Sequence, residues 1–467
     1  MRSRRDFMTS ILTIGAGAIG SRAVASPQAF AQNAGHSHSA SRQVRESHSP
    51  PPLLVETPDV PQLPWRMDGN VKEFHLVAEV IKRELAPGRE VHLWGYNGSV
   101  PGPTIQVNQG DGVRIIVDNH LPEITSMHWH GFEIPHNMDG APGTSQKPIP
   151  PGGRFIYEFT LHQAGTFFYH SHMAMQEMMG MIGAFIMHPR KPYQPRVDKD
   201  FAIVMQEFSV LPNNLVPNSM SMEFNWLTFN GKSGPATTPL IVRLNDRVRI
   251  RLINLGMDHH PIHLHGHTFV VTGTEGGRQP VTTWGPKNTV LVGVAEACDI
   301  EFVANNPGDW MVHCHLPHHM MNAMSSGVGP MTRNLMTQNL MTRNSSGNPM
   351  PEMQHNQTQP PAAPNAPTRQ DMRDAGDHNM QPEIANNANS VPGFPQDAYM
   401  EGPMMNVDRL VQKPENYGLP RGWSQFMQGM MTFVRVLPPD LYDRIMAMRR
   451  RPPSSPDSTT SDSNHGA

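Results

Sequence analysis

One succession of short patterns occurs twice along this chain, and a duplication of that kind restricts the fold to two similar domains. The first copy runs "GDGVRIIVDN", "HWHG", "AGTFFYHSH", and the second runs "NDRVRIRLIN", "HPIHLHGH", "PGDWMVHCH". Both copies consist of β-branched or aromatic runs separated by Gly, Pro and Asn, which is typical of strands joined by turns. The chain is therefore predicted to be all-β, with two tandem Greek-key β-sandwiches.

The composition changes on either side of the duplicated region. Hydrophobic residues make up 37% of the chain, and 46 Pro and 39 Gly accompany them, so part of the chain is not expected to pack as core. The segments that we predict are a disordered His/Ser/Pro leader (32–64), a first sandwich (65–190), a second sandwich (198–330), a largely disordered Met/Asn/Pro-rich segment (331–392), a docking segment with a short helix in "PPDLYDRIMAMRR" (393–452) and a disordered tail (453–467).

The first 31 residues carry the pattern of an export signal. Paired arginines in "SRRDFM" precede the short apolar run "ILTIGAGAIG", and the small-residue pattern "AFA" ends at Ala31. This arrangement predicts a twin-arginine signal peptide over residues 1–31 and a periplasmic or extracellular location. The apolar run is too short to span a bilayer, so no membrane anchor is expected.

The net charge and the cysteine content limit the possible partners and the candidate reactive residues. The net charge of −3 argues against nucleic acid as a partner. Only two cysteines occur, and Cys298 lies in the strand-like run "AEACDIEFVA", where a small buried apolar role is the simplest interpretation. Cys314 lies between two histidines and is the candidate for chemistry.

Four histidine clusters can be sorted by the geometry of a strand. Residues i and i+2 of a strand point to the same face, whereas residue i+1 points to the other. Each of four i, i+2 pairs therefore presents two imidazoles to one side: His128 and His130, His170 and His172, His263 and His265, His313 and His315. Cys314 must face the other way, as must His260, which has the opposite parity to His263.

The two faces suit different metal sites. A thiolate with two imidazoles and a weak thioether selects copper in a blue, electron-transferring site, and Cys314, His260, His319 and Met324 offer that set. Met320 and Met321 compete with Met324 for the thioether position, and Met324 follows Cys314 by ten residues. The eight paired histidines are too many for one ion and suit a cluster of about three.

These four motifs, in their order and spacing, resemble the copper-binding motifs of multicopper oxidases, the laccase-like family, over roughly residues 70–330. The resemblance implies cupredoxin-like sandwiches and four copper ions per chain: one type 1, one type 2 and a type 3 pair. The ligands it implies are His260, Cys314, His319 and Met324 for type 1; His128 and His263 for type 2; and His130, His170, His172, His265, His313 and His315 for type 3.

The resemblance is to the two-domain small laccases in particular. Ser171 stands between His170 and His172 where a cysteine would be needed for a second blue site, so type 1 copper is expected in the second sandwich alone. In that subfamily each trinuclear cluster forms between the first domain of one subunit and the second domain of the next. The resemblance thus implies a homotrimer.

A proton route to the cluster is expected because the reduction of dioxygen to water consumes protons. The family places an Asp shortly after "HWHG", and Asp139 in "NMDGAPG" matches that position, although Asp-Gly is also a common turn. Some members have an acidic residue after the second type 1 histidine, where this chain has Met320. No second proton donor is predicted.

The expected function is a copper-dependent oxidase that takes electrons one at a time and passes four of them to dioxygen. The electron donor is either a phenolic or aromatic compound or cuprous ion, for which methionine thioethers are suitable ligands. Two alternatives remain: a copper-sequestering tolerance protein with little turnover, and a copper nitrite reductase. The first has no need for a cysteine flanked by cluster histidines, and the second has its type 1 cysteine in the first domain.

Overall fold

The computed structural model describes residues 52–210, 214–320 and 407–450. The predicted signal peptide, most of the predicted leader, Met324, the segment 331–392 and the tail 453–467 lie outside the described residues.

The first sandwich consists of two sheets that face each other. One sheet has the order β1-β2-β5-β7 with β3 paired to β2, and the other has the order β4-β9-β8-β6. The strands are β1 (Trp65–Asp68), β2 (Val71–Ala86), β3 (Arg89–Tyr96), β4 (Gly102–Asn108), β5 (Gly112–Asn119), β6 (His128–His130), β7 (Arg154–Thr160), β8 (Gly165–His170) and β9 (Ile182–His188).

The second sandwich also consists of two sheets. One has the order β11-β10-β13-β19-β15-β16 with β17 paired to β15, and the other has the order β12-β21-β20-β14-β18. The strands are β10 (Lys199–Phe208), β11 (Trp226–Phe229), β12 (Leu240–Arg243), β13 (Arg247–Asn254), β14 (His260–Leu264), β15 (Phe269–Thr274), β16 (Gly277–Arg278), β17 (Pro286–Lys287), β18 (Thr289–Val292), β19 (Glu296–Val303), β20 (Gly308–Cys314) and β21 (Met431–Leu437).

Strand pairing confirms the all-β prediction and the duplication. In the first sandwich β4 pairs parallel with β9, β9 antiparallel with β8, and β8 antiparallel with β6. In the second, β12 pairs parallel with β21, β21 antiparallel with β20, and β20 antiparallel with β14. Each strand of the first series therefore has a counterpart in the second, and β9 corresponds to β21.

The strand β21 comes from far beyond the region where we predicted the second sandwich. It lies in the interior of a sheet, between β12 and β20, rather than at an edge. All seven of its residues are buried. The second sandwich is thus completed by the described part of the segment that was predicted to dock on it.

Helices are few in the described residues. They are α1 (Ala174–Met178), α2 (Pro317–Met320) and α3 (Pro439–Arg449). The helix α3 starts with Pro at its first turn, a position where the missing N–H is not needed, and it lies in "PPDLYDRIMAMRR", where a helix was predicted. None of the helices in the described ranges is both long and apolar enough to cross a bilayer.

The two sandwiches are joined by an apolar and a polar contact. Phe168, Ile182 and Ala184 of the first pack with Val204 and Ile253 of the second in one buried cluster. Beside it, the hydroxyl of Thr166 donates to Asp299 at 2.6 Å and accepts from Arg251 at 2.6 Å. Because Thr166 belongs to β8, these contacts hold the strand that ends at His170 against the second sandwich. Cys298, on β19, is free and buried, as predicted.

Candidate metal centre

The first sandwich gathers four imidazoles at one end of a sheet. His128 of β6 is paired with His170 of β8, and its ring centroid lies 5.3 Å from those of His170 and His172 and 5.6 Å from that of His130. His130 Nδ1 lies 3.3 Å from His170 Nε2. We call these four residues the first quartet.

The second sandwich repeats this arrangement with His263, His265, His313 and His315, the second quartet. His263 of β14 is paired with His313 of β20, and its ring centroid lies 5.6 Å from those of His313 and His315 and 4.9 Å from that of His265. His265 Nε2 lies 3.0 Å from His313 Nε2. Histidines within strands and directly after them thus form the same constellation in both sandwiches.

Backbone carbonyls orient several of these rings. His128 Nδ1 lies 2.8 Å from the carbonyl of Asp139, and His263 Nδ1 lies 2.7 Å from that of Asn288. His170 and His313 make the corresponding contact, at 2.9 Å, with the carbonyl of the next residue. A carbonyl only accepts, so Nδ1 donates and Nε2 is left as the lone-pair donor for a metal.

Three imidazoles of the quartets, those of His130, His170 and His313, are neutral near pH 7. Burial is the main cause, and neighbouring imidazoles add to it: the pKa values of His130 and His313 fall to about 4 and the pKa of His170 falls to about 3. A neutral imidazole is the form that ligates a metal. These three imidazoles therefore need no deprotonation to bind one.

Both quartets open to the outside of the described chain. His172 and His315 are exposed, and His128 and His263 are half-buried. Every ring contact among these eight histidines joins two members of the same quartet. Within the described part of one chain, each quartet thus presents half of a larger ligand set.

A different donor set lies on the other face of β20. His260 Nδ1 and His319 Nδ1 are 3.0 Å apart, and Cys314 Sγ lies 3.7 Å and 3.4 Å from them. All three side chains are fully buried. Burial raises the pKa of the Cys314 thiol to about 12, so a bound cation has to favour the thiolate. Two imidazole nitrogens with one thiolate are the donors of a blue copper site.

Two carboxylates, which sequence reasoning did not identify, lie behind the histidines of this set. Glu207 Oε1 lies 2.8 Å from His260 Nε2, with both side chains fully buried, and the angle falls outside hydrogen-bond geometry. The Glu207 oxygens accept the backbone N–H groups of Met257 and Asp258 at 3.2 Å. Asp258 Oδ2 lies 3.7 Å from His319 Nε2. A lone acid in the buried run "AIVMQEFSV" was the available sequence signal for Glu207.

Two further carboxylates adjoin the first quartet. Asp139, the candidate proton donor, has Oδ1 3.5 Å from His128 Nδ1. Glu177 was not predicted, and its Oε2 lies 3.4 Å from His170 Nδ1. Burial raises the pKa of Glu177 to about 7. Its signal in the sequence, an acid within "MAMQEMMGM", is weak because the surrounding methionines suggest core.

That methionine-rich stretch is largely core. Met178, Met179 and Met181 are buried, and Met175 is exposed. Thioethers buried in this way fill irregular gaps between strands. The run "MAMQEMMGM" therefore offers few sulfur atoms to an incoming ion.

The structure brings together most of the residues predicted from the sequence. The two quartets contain the eight paired histidines, and His260, Cys314 and His319 form a separate buried set. Met324, the predicted thioether ligand, lies outside the described residues. Copper is the metal that these donors favour, because one soft sulfur atom lies together with two imidazole nitrogens.

Comparison with known proteins identifies similarities over the same region. Residues 78–192 match one family model and residues 209–329 match another, and both are described as multicopper oxidase. Among solved structures, the blue copper oxidase from Nitrosomonas europaea is 33% identical, with a TM-score of 0.50, and the match covers 53% of this chain and 80% of that one.

Curated relatives match over shorter stretches. Copper resistance protein A from Pseudomonas syringae pv. tomato is 38% identical over 122 residues, which are 26% of this chain and 20% of the relative. Laccase-1 from Cryptococcus neoformans var. neoformans is 44% identical over 117 residues, which are 24% of this chain and 19% of the relative. The chain thus matches about a fifth of the length of each of these two relatives.

Proposed function

Because this chain belongs to the multicopper oxidase family, we propose that it oxidises a phenolic or aromatic donor, or cuprous ion, and reduces dioxygen to water. The observation that carries the proposal is the position of Cys314. Its sulfur converges with two imidazole nitrogens, and its chain neighbours His313 and His315 belong to the second quartet.

The donor sets fit four copper ions per chain. His260, Cys314 and His319 would hold the type 1 ion, His128 and His263 the type 2 ion, and the other six quartet histidines the type 3 pair. Copper bound there supplies one-electron chemistry at the first set and four-electron reduction of dioxygen at the quartets. The chain holds neutral imidazoles ready and joins the two kinds of site through the backbone of β20.

We propose that the active unit is a homotrimer in which the first quartet of one subunit faces the second quartet of the next. Support comes from the outward opening of both quartets and from the separation of their ring contacts into two groups. A head-to-tail ring of identical chains lets every quartet find a partner.

Asp139→Asn is expected to lower turnover by about 10²-fold, the usual scale for loss of a positioned proton donor. Reduction of the type 1 site by the donor is expected to be unchanged, because Asp139 adjoins His128 and not Cys314. Stopped-flow reduction under nitrogen and oxygen uptake in air measure the two steps. Glu133→Gln, at an exposed position in the same loop, is the control, and equal losses in both steps would contradict the proton role.

Glu207→Gln is expected to raise the reduction potential of the type 1 site. A carboxylate charge beside His260 favours the more highly charged oxidised state, and the neutral amide removes that charge. Asp258→Asn is expected to produce a smaller shift, because Asp258 is farther from its histidine and partly exposed. Redox titration of the blue band measures both, and the reverse ranking would contradict the assignment.

The donor is tested by measuring turnover on Cu(I) and on a phenol under oxygen, with oxygen uptake as a common readout. On the cuprous oxidase hypothesis, deletion of the Met-rich residues 331–392 lowers Cu(I) oxidation more than phenol oxidation. Equal effects on both substrates would make this segment a spacer. The absence of oxygen uptake with either donor would contradict the proposed function itself.

A copper-tolerance protein with little turnover is the second candidate, and similarity to a copper resistance protein favours it. Copper binding without oxygen uptake would identify it. A copper nitrite reductase is less consistent with the first sandwich, where Ser171 donates a hydrogen bond to Gln176 at 2.8 Å in the place a thiolate would need. Export by the twin-arginine route to the periplasm or outside the cell remains part of the proposal.

A further inference from the structure

At the positions of the first sandwich that correspond to His260, Cys314 and His319, polar residues without metal-binding sulfur or imidazole groups occur. Thr125 lies three residues before His128, as His260 lies three before His263, and Ser171 and Gln176 have the spacing of Cys314 and His319. Gln176 Oε1 accepts from Thr125 at 2.7 Å and from Ser171 at 2.8 Å. Because the two sandwiches correspond residue by residue here, the first serves as a template: a residue beside Thr125, Ser171 and Gln176 indicates the position of a further ligand beside His260, Cys314 and His319.

The template has a fourth member, Met181, which lies ten residues after Ser171. The N–H of Ser171 donates to the carbonyl of Met181 at 3.0 Å, and the N–H of Met181 donates to the carbonyl of Gln176 at 3.2 Å. Two backbone hydrogen bonds thus fix Met181 beside the polar triad, just before β9 begins.

In the second sandwich Met430 makes the same two bonds. The N–H of Cys314 donates to the carbonyl of Met430 at 3.1 Å, and the N–H of Met430 donates to the carbonyl of His319 at 3.0 Å. The strand register supports the same equivalence, because His170 is paired with Ile182, the residue after Met181, and His313 is paired with Met431, the residue after Met430. Met430 therefore has the position of Met181, although it lies more than a hundred residues after Cys314 in the chain.

The surroundings of Met430 are those of a buried ligand. Its side chain is fully buried and packs in the same core cluster as Cys314. Gly429 has a φ of +55°, and a Cβ there would lie 1.9 Å from the His319 carbonyl oxygen, so only glycine lets the chain approach the site this closely. Met431 belongs to a different cluster, with Met427 and Phe433.

We propose that Met430, rather than Met324, would supply the thioether ligand of the type 1 site, an inference that rests on the proposed copper function. The four-residue set is then His260, Cys314, His319 and Met430. In the first sandwich, Met181 lies ten residues after Ser171. In the second sandwich, Met430 occupies the equivalent backbone position, although it is much farther along the chain from Cys314. The C-terminal segment thereby becomes part of the metal centre.

Substitutions of opposite expected effect test this assignment on the copper-loaded full chain. Met430→Leu removes the sulfur with little change in volume and is expected to raise the type 1 reduction potential, because a donor to the oxidised ion is lost. Met430→Gln supplies a stronger oxygen donor and is expected to lower the potential and change the ratio of the visible bands. Loosened packing alone would not shift the potential in opposite directions.

Met324→Leu and Met431→Leu are the matched controls and are expected to leave the potential, the visible bands and the electron paramagnetic resonance spectrum unchanged. A shift with Met324→Leu and none with Met430→Leu would overturn the ligand assignment while leaving the proposed function intact. A copper-loaded parent chain with no blue band would instead overturn the proposed function.

Discussion

Cys314→Ser is expected to abolish the intense blue absorption and reduce oxidase turnover to the level of the copper-free protein. Serine oxygen cannot replace the thiolate that gives a type 1 site its colour and its electron-transfer properties. On the proposed function, the same change also breaks the electron route from the buried set to His313 and His315, because the proposed route begins at the sulfur. Visible absorption and oxygen uptake measure the two losses, and the proposed trimer is expected to persist.

The other cysteine provides the matched control. Cys298 is buried on β19 and is not a member of the candidate metal sites found among the described residues, so Cys298→Ser is expected to keep both colour and turnover. Any loss of stability from burying a hydroxyl is expected in both variants. A Cys314→Ser protein that remained blue and active would remove the basis of the copper assignment.

Mixing two inactive variants is expected to restore oxidase activity. His172→Ala damages the first quartet of a chain and His315→Ala damages the second, and each variant alone is expected to be inactive. When sites form between subunits, random assembly of the two chains gives about a quarter of the sites with both quartets intact. The exposure of His172 and His315 makes both substitutions compatible with folding.

Co-expression with two different affinity tags, followed by sequential purification, isolates the mixed oligomers for oxygen-uptake assays. A His172→Ala chain mixed with the double variant His172→Ala/His315→Ala is the control, because none of its sites has an intact first quartet. Lack of recovery in verified mixed oligomers would mean that both quartets of a site belong to one chain.

The parts of the site that depend on local periodicity were predictable. Alternation along a strand separates Cys314 from His313 and His315 and groups His128 with His130 whatever the rest of the fold does. The duplicated patterns likewise indicated two sandwiches, because each copy contains its own strands and turns. A few neighbouring residues in the sequence are enough to determine each of these features.

Features that depend on distant packing were not predictable in the same way. Glu207 contacts His260 because β10 and the loop before β14 meet in the fold, and no spacing rule relates the two residues. Met324 was predicted because it lies ten residues after Cys314. That spacing identifies the ligand only when the next strand follows directly, whereas here the next strand, β21, begins at Met431. The signal for Met430 was present, since "GMMTFVRV" parallels "GMIGAFIMH", but more than a hundred residues separate it from Cys314.

The interior position of β21 has a consequence for biosynthesis. A nascent chain that has left the ribosome only as far as His319 exposes the facing edges of β12 and β20, with the ladder between them unfilled. The second sandwich can close only after residues up to Leu437 have emerged, whereas the strands of the first sandwich are complete at His188. Unpaired edges of that kind can pair with other chains, so the chain is exposed to aggregation until β21 has been inserted.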